Sequence, residues 1–312
     1  MKREDIYRYL DKTIESINLP YPVTRGKVRD IFELGDSLLI VTTDRISAFD
    51  RVLTMIPCKG EVLNRISLFW FDKTSDIIEN HVKKQITSRS ILVKKCDVIP
   101  VEVVVRGYLT GSAWRDYVKG KLISGIKLRE GMRFNEKFEQ PIVTPSTKAE
   151  RGVHDEPISE EELIERGVVS EDLWQEIRET ALRLFERGTE IAASNGLILV
   201  DTKYEFGLCD GQLILIDELH TPDSSRYWFK ESYDELFERG EKQREFDKEY
   251  LRQWLIVKGF MGEGEIPEIP DEVKVEVAWK YIQAYEKITG ADFVPESFEA
   301  EREEELIKEA LS

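Results

Sequence analysis

Residues 197–226, LILVDTKYEFGLCDGQLILIDELHTPDSSR, constrain the fold more tightly than any other part of the chain. Two runs of Leu, Ile and Val have the length of buried strands, and Asp210-Gly211 between them is a turn signal, so the segment predicts a hairpin. Yet Asp201, Lys203, Glu205, Asp217 and Glu218 interrupt it. Strand side chains alternate between faces, so Asp201, Lys203 and Glu205 share one face, with Val200, Tyr204 and Phe206 on or near the other. A three-residue bulged turn over Cys209-Asp210-Gly211 brings Asp217 onto the charged face, opposite Lys203 and diagonal to Glu205. Carboxylates and a lysine gathered in this way are costly to bury unless paired or neutralised by a cation. Two readings follow from these residues alone. They are a few hard oxygen ligands, suited to magnesium carrying a nucleotide phosphate, or an exposed hairpin with ordinary ion pairs.

The rest of the chain mixes strands and helices. The start, MKREDIYRYLDKTIESI, has the pattern of a charged amphipathic helix; VRDIFEL and SLLIVTT flank a Gly35-Asp36 turn; and EVLNRISLFWFDKTSDII is apolar at helical spacing. The Val-rich strand CDVIPVEVVVRGYL leads into a helix start at TGSAWRDYV. Arg106 interrupts that strand, which means either a carboxylate partner such as Glu102 or a ligand to meet. Residues 128–158 show little periodicity and three prolines, and predict a long ordered loop or lid. Ser170 caps a long helix ending at Asn195-Gly196, and three further helical patterns follow the hairpin.

With 312 residues there is room for two domains, or one large domain with a helical annex. A net charge of −16 argues against non-specific nucleic-acid binding, which needs a cationic face. Cys58, Cys96 and Cys209 lack paired spacing and predict reduced thiols. No apolar run reaches the length of a membrane span, so the expected location is the cytoplasm. The three histidines match no zinc motif; His81 is expected at the surface, and His220 in a local hydrogen bond or in catalysis.

Seven segments, in order, carry a resemblance: GKVRDIF, TTDRISAFD, IPCKGEVLNRIS, VVVRGYLTGSAWRDY, STKAERGVHDEPIS, VDTKYEFG and DELHTPDSSRYW. Together they resemble the phosphoribosylaminoimidazole-succinocarboxamide synthase, or SAICAR synthetase, family in its longer form. The resemblance covers nearly the whole chain. It implies an α+β, two-lobed fold distantly related to kinases and ATP-grasp enzymes, with an N-terminal antiparallel sheet lobe (1–112), a second α+β lobe completing the ATP and substrate site (113–255), and packed C-terminal helices (256–312). The implied reaction condenses carboxyaminoimidazole ribotide (CAIR) with L-aspartate, splitting ATP to ADP and phosphate through an acyl phosphate.

By the same resemblance, Asp201 and Lys203 are catalytic, and Lys27, Arg29, Lys148, Glu205 and Asp217 bind ATP, with Glu205 and Asp217 holding Mg2+. Arg106, Ser112, His154, Asp155, Asp223 and Arg226 are assigned to the substrates. The partners are then ATP, CAIR and L-aspartate in a monomer or homodimer, with no nucleic acid and no membrane. The chief rival is a kinase-like phosphotransferase using the same Mg-ATP site. It shares the metal-binding acids but has no use for the cationic and hydroxyl groups of RGYLTGS and SSR. A non-enzymatic binding module leaves the shared charged face without a purpose.

Overall fold

The computed structural model describes residues 1–49, 51–148, 156–246, 249–296 and 299–312. The first part of the chain forms β1 (Val23–Arg25), β2 (Arg29–Leu34), β3 (Ser37–Thr42), β4 (Arg45–Ala48), β5 (Arg51–Met55), α1 (Lys59–Lys73), β6 (Val82–Gln85) and β7 (Ser90–Lys94). Five of these strands make an antiparallel sheet in the order β1-β2-β3-β7-β6, while β4 and β5 form a separate ribbon. The middle forms β8 (Asp97–Tyr108), α2 (Gly111–Tyr117), β9 (Lys137–Thr147), β10 (Glu156–Pro157), α3 (Glu160–Glu165), α4 (Glu171–Ser194), β11 (Leu197–Cys209), β12 (Gln212–Ile216) and β13 (Ser225–Phe229). These strands order as β10-β9-β8-β11-β12, and β13 pairs with β11 beyond the end of β12. Helices α5 (Lys230–Glu238), α6 (Glu249–Val257), α7 (Asp271–Thr289) and α8 (Ala300–Leu311) complete the α+β architecture. Sheet membership changes between Lys94 and Asp97.

Packing follows the apolar faces. Val101, Val103 and Val105 of β8, with Tyr204 and Phe206 of β11, share one core with Trp174, Ile177 and Leu184 of α4. Each such side chain contributes about 1.5–3 kcal/mol through burial. Ser170 Oγ caps α4 by accepting from the Leu173 amide, and Gly196 ends it at φ 72°. Helix α7 packs on α1, and α8 inserts Ile307 into a second cluster with Ile14, Ile17, Phe32, Leu39 and Val41.

Four expectations need correction. The chain start is helical only as a 3-10 segment over Arg3–Tyr9. Beyond it Ile14 and Ile17 are drawn into the first sheet's core, and the Ile14 amide is held by Asp44 Oδ2 at 2.8 Å, so tertiary burial overrides the helical pattern. Residues 128–158 are not one loop, because Lys137–Thr147 is strand β9. Pro141 is tolerated because it falls where the β8–β9 register breaks, between the partners of Arg106 and Tyr108, and Pro145 because its carbonyl turns to the outer edge, accepting from the Ile158 amide at 3.2 Å, so that its nitrogen is not needed as a donor to β8. The hairpin turn has two residues, since Cys209 pairs with Gln212 while Asp210 and Gly211 both take positive φ. Finally, His81 is buried rather than at the surface, its amide bonded to the Leu215 carbonyl beside β12. Cys58, Cys96 and Cys209 are free thiols.

Candidate active site

The register of β8, β9 and β11 puts the polar residues on one face of the second sheet. Asp201 lies opposite Arg106, Lys203 opposite Val104, and Glu205 opposite Glu102, while Val104 faces Thr144 of β9. Two glutamates directly across a ladder repel one another. Lys203 resolves this, its Nζ lying 2.7 Å from Glu102 Oε1 and 2.6 Å from Glu205 Oε1. Burial disfavours the charged amine, but Glu205, then Asp217 and Glu102, outweigh it and raise the Lys203 pKa far above the usual lysine range. Lys148, just past the end of β9, adds a second ammonium 2.5 Å from Glu205 Oε2.

Asp217 reaches this cluster by another route than turn parity. With a two-residue turn, Ile216 pairs with Glu205, and strand alternation alone would direct Asp217 away from Lys203. The backbone at Asp217 instead takes φ 68°, a left-handed conformation that Asp tolerates better than most residues, and the carboxyl comes to lie against that of Glu205. Arg29, the first residue of β2, forks across the acids: one nitrogen bonds Asp217 Oδ1 and the other is 2.6 Å from Glu218 Oε2. Burial pushes the Asp217 carboxyl pKa up, but Arg29, then Lys203 and Lys148, prevail and hold it below the ordinary carboxylate range. Among the described residues no three acidic, histidine or cysteine side chains form a complete metal cage. Glu205 and Asp217 do offer two adjacent hard oxygen donors, the set magnesium uses when phosphates and water supply its remaining ligands.

At the other end of the face is a cleft of about 610 Å³, lined by Asp201, Gly111, Asp223, Ser224, Ser225 and Arg226 among others. Arg226 NH1 lies 3.1 Å from Asp201 Oδ2, and Arg106 NH1 is 3.9 Å from the same oxygen. Arg106 Nε donates to Thr144 Oγ1 at 2.9 Å. Burial lowers the Arg106 pKa, with Asp201 working against that. A Cβ on Gly111 would stand 2.8 and 2.9 Å from the two terminal nitrogens of Arg226, so the glycine leaves room for the guanidinium edge to approach the backbone leading into α2. At about 3.3 Å per residue, Asp201 and Glu205 are about 13 Å apart along β11, with Lys203 midway.

The family model for SAICAR synthetase matches residues 22–265. The chain belongs to the SAICAR synthetase family. It is 48% identical over 297 residues to the phosphoribosylaminoimidazole-succinocarboxamide synthase of Bacteroides thetaiotaomicron, covering 93% of this chain and 95% of that one. A solved SAICAR synthase of Saccharomyces cerevisiae, complexed with SAICAR, superposes with a TM-score of 0.81 at 38% identity, over 91% of this chain and all of that one. A SAICAR synthetase in complex with ADP superposes with a TM-score of 0.68 at 26% identity, over 88% and 100% of the two chains. The chain is therefore an enzyme of the ligase class.

Within this chain the expected residues fall into two groups. Arg29, Lys148, Lys203, Glu205 and Asp217 form one ion-pair network; Asp201, Asp223 and Arg226 line the cleft, with Arg106 beside Asp201. Lys27 is exposed in the loop between β1 and β2, where Arg45 bonds the carbonyls of Gly26 and Lys27. Ser112 is exposed on α2 one residue beyond Gly111, which itself lines the cleft. His154 and Asp155 lie outside the described residues. His220 is buried, its Nε2 2.6 Å from the Tyr204 hydroxyl, and burial lowers its pKa to about 3. Thr144 and Glu245 had no place in the expected site, and Glu102 entered only as a partner for Arg106. The signal for Glu102 was its even spacing from Arg106, which puts both on one strand face; Glu245, 3.7 Å from Arg226, had none.

Proposed function

We propose that the chain catalyses the ATP-dependent condensation of CAIR with L-aspartate to SAICAR, ADP and phosphate, and that the reaction runs along the charged face of β11 in the cytoplasm. The observation that carries this reading is the division of that face, with acids and lysines at one end, arginines and hydroxyls at the other, and Lys203 between them. Arg29, Lys148 and Lys27 bind the nucleotide phosphates. Glu205 and Asp217 hold magnesium, which when bound screens the phosphate oxygens during transfer. Arg226 and Arg106 take the ribotide phosphate, with Ser112 near the start of α2 contributing a hydroxyl. His154 and Asp155 belong to the segment we assign to the substrates.

A carboxylate is a poor electrophile. Transfer of the terminal phosphoryl of ATP to the ribotide carboxylate gives an acyl phosphate; attack by the aspartate amine then forms the amide and expels phosphate with one former carboxylate oxygen. Lys203, kept protonated by its three acids, stabilises charge on the phosphoryl group in transit. Asp201, anchored by Arg226 and Arg106, orients the reacting groups and receives the amine proton. A phosphotransferase that stops after phosphoryl transfer has no need of the arginine-lined cleft.

The test is to label the ribotide carboxylate with heavy oxygen and analyse the released phosphate by mass spectrometry. One labelled oxygen per phosphate is expected. Unlabelled phosphate would sink the acyl-phosphate route, whereas a labelled acyl phosphate accumulating with aspartate unused would favour the phosphotransferase.

A further inference from the structure

We propose that Lys59 and Tyr281 are positioning residues that hold Asp223 in the geometry the ribotide requires; this rests on the assignment of Asp223 to the ribotide. Asp223 lines the cleft, yet its side chain is only 8% exposed, because each oxygen already has a donor behind it. Oδ2 accepts from Lys59 Nζ at 2.9 Å, and Oδ1 accepts from the Tyr281 hydroxyl. The Lys59 ammonium also stands 5.3 Å from the centre of the Tyr281 ring. Two residues remote in sequence, one from the first turn of α1 and one from α7, thus close on the carboxylate of the loop before β13.

Each anchor is itself immobilised. The Gly60 amide donates to Asp44 Oδ1 at 2.9 Å, and a Cβ at Gly60 would lie 2.3 Å from the Thr42 carbonyl oxygen, so the start of α1 is wedged against the end of β3. Tyr281 is 3% exposed on a helix packed against α1. The Asp223 amide donates to Thr221 Oγ1 at 3.2 Å, and the Thr221 hydroxyl donates to Glu218 at 2.7 Å. The loop carrying Asp223 is therefore tied to the acids beside Arg29.

Stability is a poor reason for this arrangement, since a buried ion pair contributes about as much as the apolar groups that could replace it. Its position in the cleft wall gives a better one. A carboxylate offers about four acceptor directions, so donors behind it and a ligand donor in front can be met together, and held in one rotamer it loses no side-chain freedom on binding. The group it suits is the exocyclic amine or a ribose hydroxyl of the ribotide.

Tyr281→Phe removes the hydroxyl while keeping the ring beside Lys59. Steady-state kinetics with each substrate varied should show a KM for the ribotide about tenfold higher, the loss of one charge-assisted hydrogen bond, with kcat and the KM for ATP within twofold. The unfolding midpoint should stay within about 2 °C of wild type. In the double variant Asp223→Asn/Tyr281→Phe the ribotide KM should be no higher than in Asp223→Asn alone, because the hydroxyl acts only through that carboxylate. A silent Tyr281→Phe alongside a defective Asp223→Asn, additive effects, or an equal rise in both KM values would overturn the proposal. An Asp223→Asn variant with normal ribotide KM would overturn the assignment of Asp223 itself, and the proposal with it.

Discussion

Two hairpins built on the same plan end in opposite chemistry. β2–β3 turns through Gly35-Asp36 and β11–β12 through Asp210-Gly211, each a two-residue connection with positive φ where the strand twist needs it. In β2–β3 the alternation delivers Phe32, Leu39 and Val41 to one buried cluster. In β11–β12 one face does the same with Tyr204 and Phe206, while the other carries Asp201, Lys203 and Glu205. The open end of the first hairpin supplies Arg29 to Asp217 at the open end of the second. One hairpin is built for burial and lends a single cation; the other carries charge that only a matched set of partners makes affordable.

The sharpest way to break this contrast is to neutralise an acid of the second hairpin. Asp217→Asn and Glu205→Gln should each lower kcat/KM for ATP by about 10²–10³-fold, the scale on which charge stabilisation of a transition state is lost. Each should leave the circular dichroism spectrum and the cooperative unfolding transition in place. Near-normal turnover across a magnesium titration would mean that these acids serve the fold alone.

The converse change belongs in the first hairpin. Phe32 is 1% exposed, and Phe32→Ala should cost about 3–5 kcal/mol in urea unfolding. Measured well below its melting temperature, the variant should keep the KM values of the wild type. A specific rise in the KM for ATP would show that the burial hairpin also shapes the nucleotide site.

The smallest effect near neutral pH comes from the buried histidines. Burial lowers both pKa values to about 3, with Arg29 adding to the effect at His81. Unfolded histidine titrates near 6.5. Between about pH 3 and 6.5 the unfolded chain binds more protons, so the stability contributed by neutral histidine is full above 6.5 and lost as pH falls towards 3. His220→Gln should flatten the dependence of unfolding free energy on pH in that window by up to about 1.4 kcal/mol per unit. An unchanged slope would mean that His220 is protonated within the fold.

The sequence made the architecture and most of the charged face readable because period-two alternation and turn residues act locally. Glu205, Lys203 and Asp201 fall on one face by spacing alone, and Ser170 and Gly196 mark the ends of α4 without reference to any neighbour. The failures lie where a distant partner decides. Asp217 joins the cluster through a left-handed backbone rather than through the expected bulge, even though Asp210-Gly211 was itself the signature of a two-residue turn. The chain start loses its helix because Ile14 and Ile17 are needed under the first sheet. Arg106 was weighed against Glu102, but the ladder gives it Asp201, and Glu102 goes to Lys203. Register across strands, which periodicity within a strand does not encode, separates those two outcomes.

Ile307 of α8 closes the cluster formed by Ile14, Ile17, Phe32, Leu39 and Val41. On the ribosome, that apolar surface is complete in every respect but its cover long before residue 307 is made. At about 5–20 residues per second the delay is on the order of tens of seconds, far longer than hydrophobic collapse takes. Through that interval the first sheet lacks the side chain that closes its apolar face.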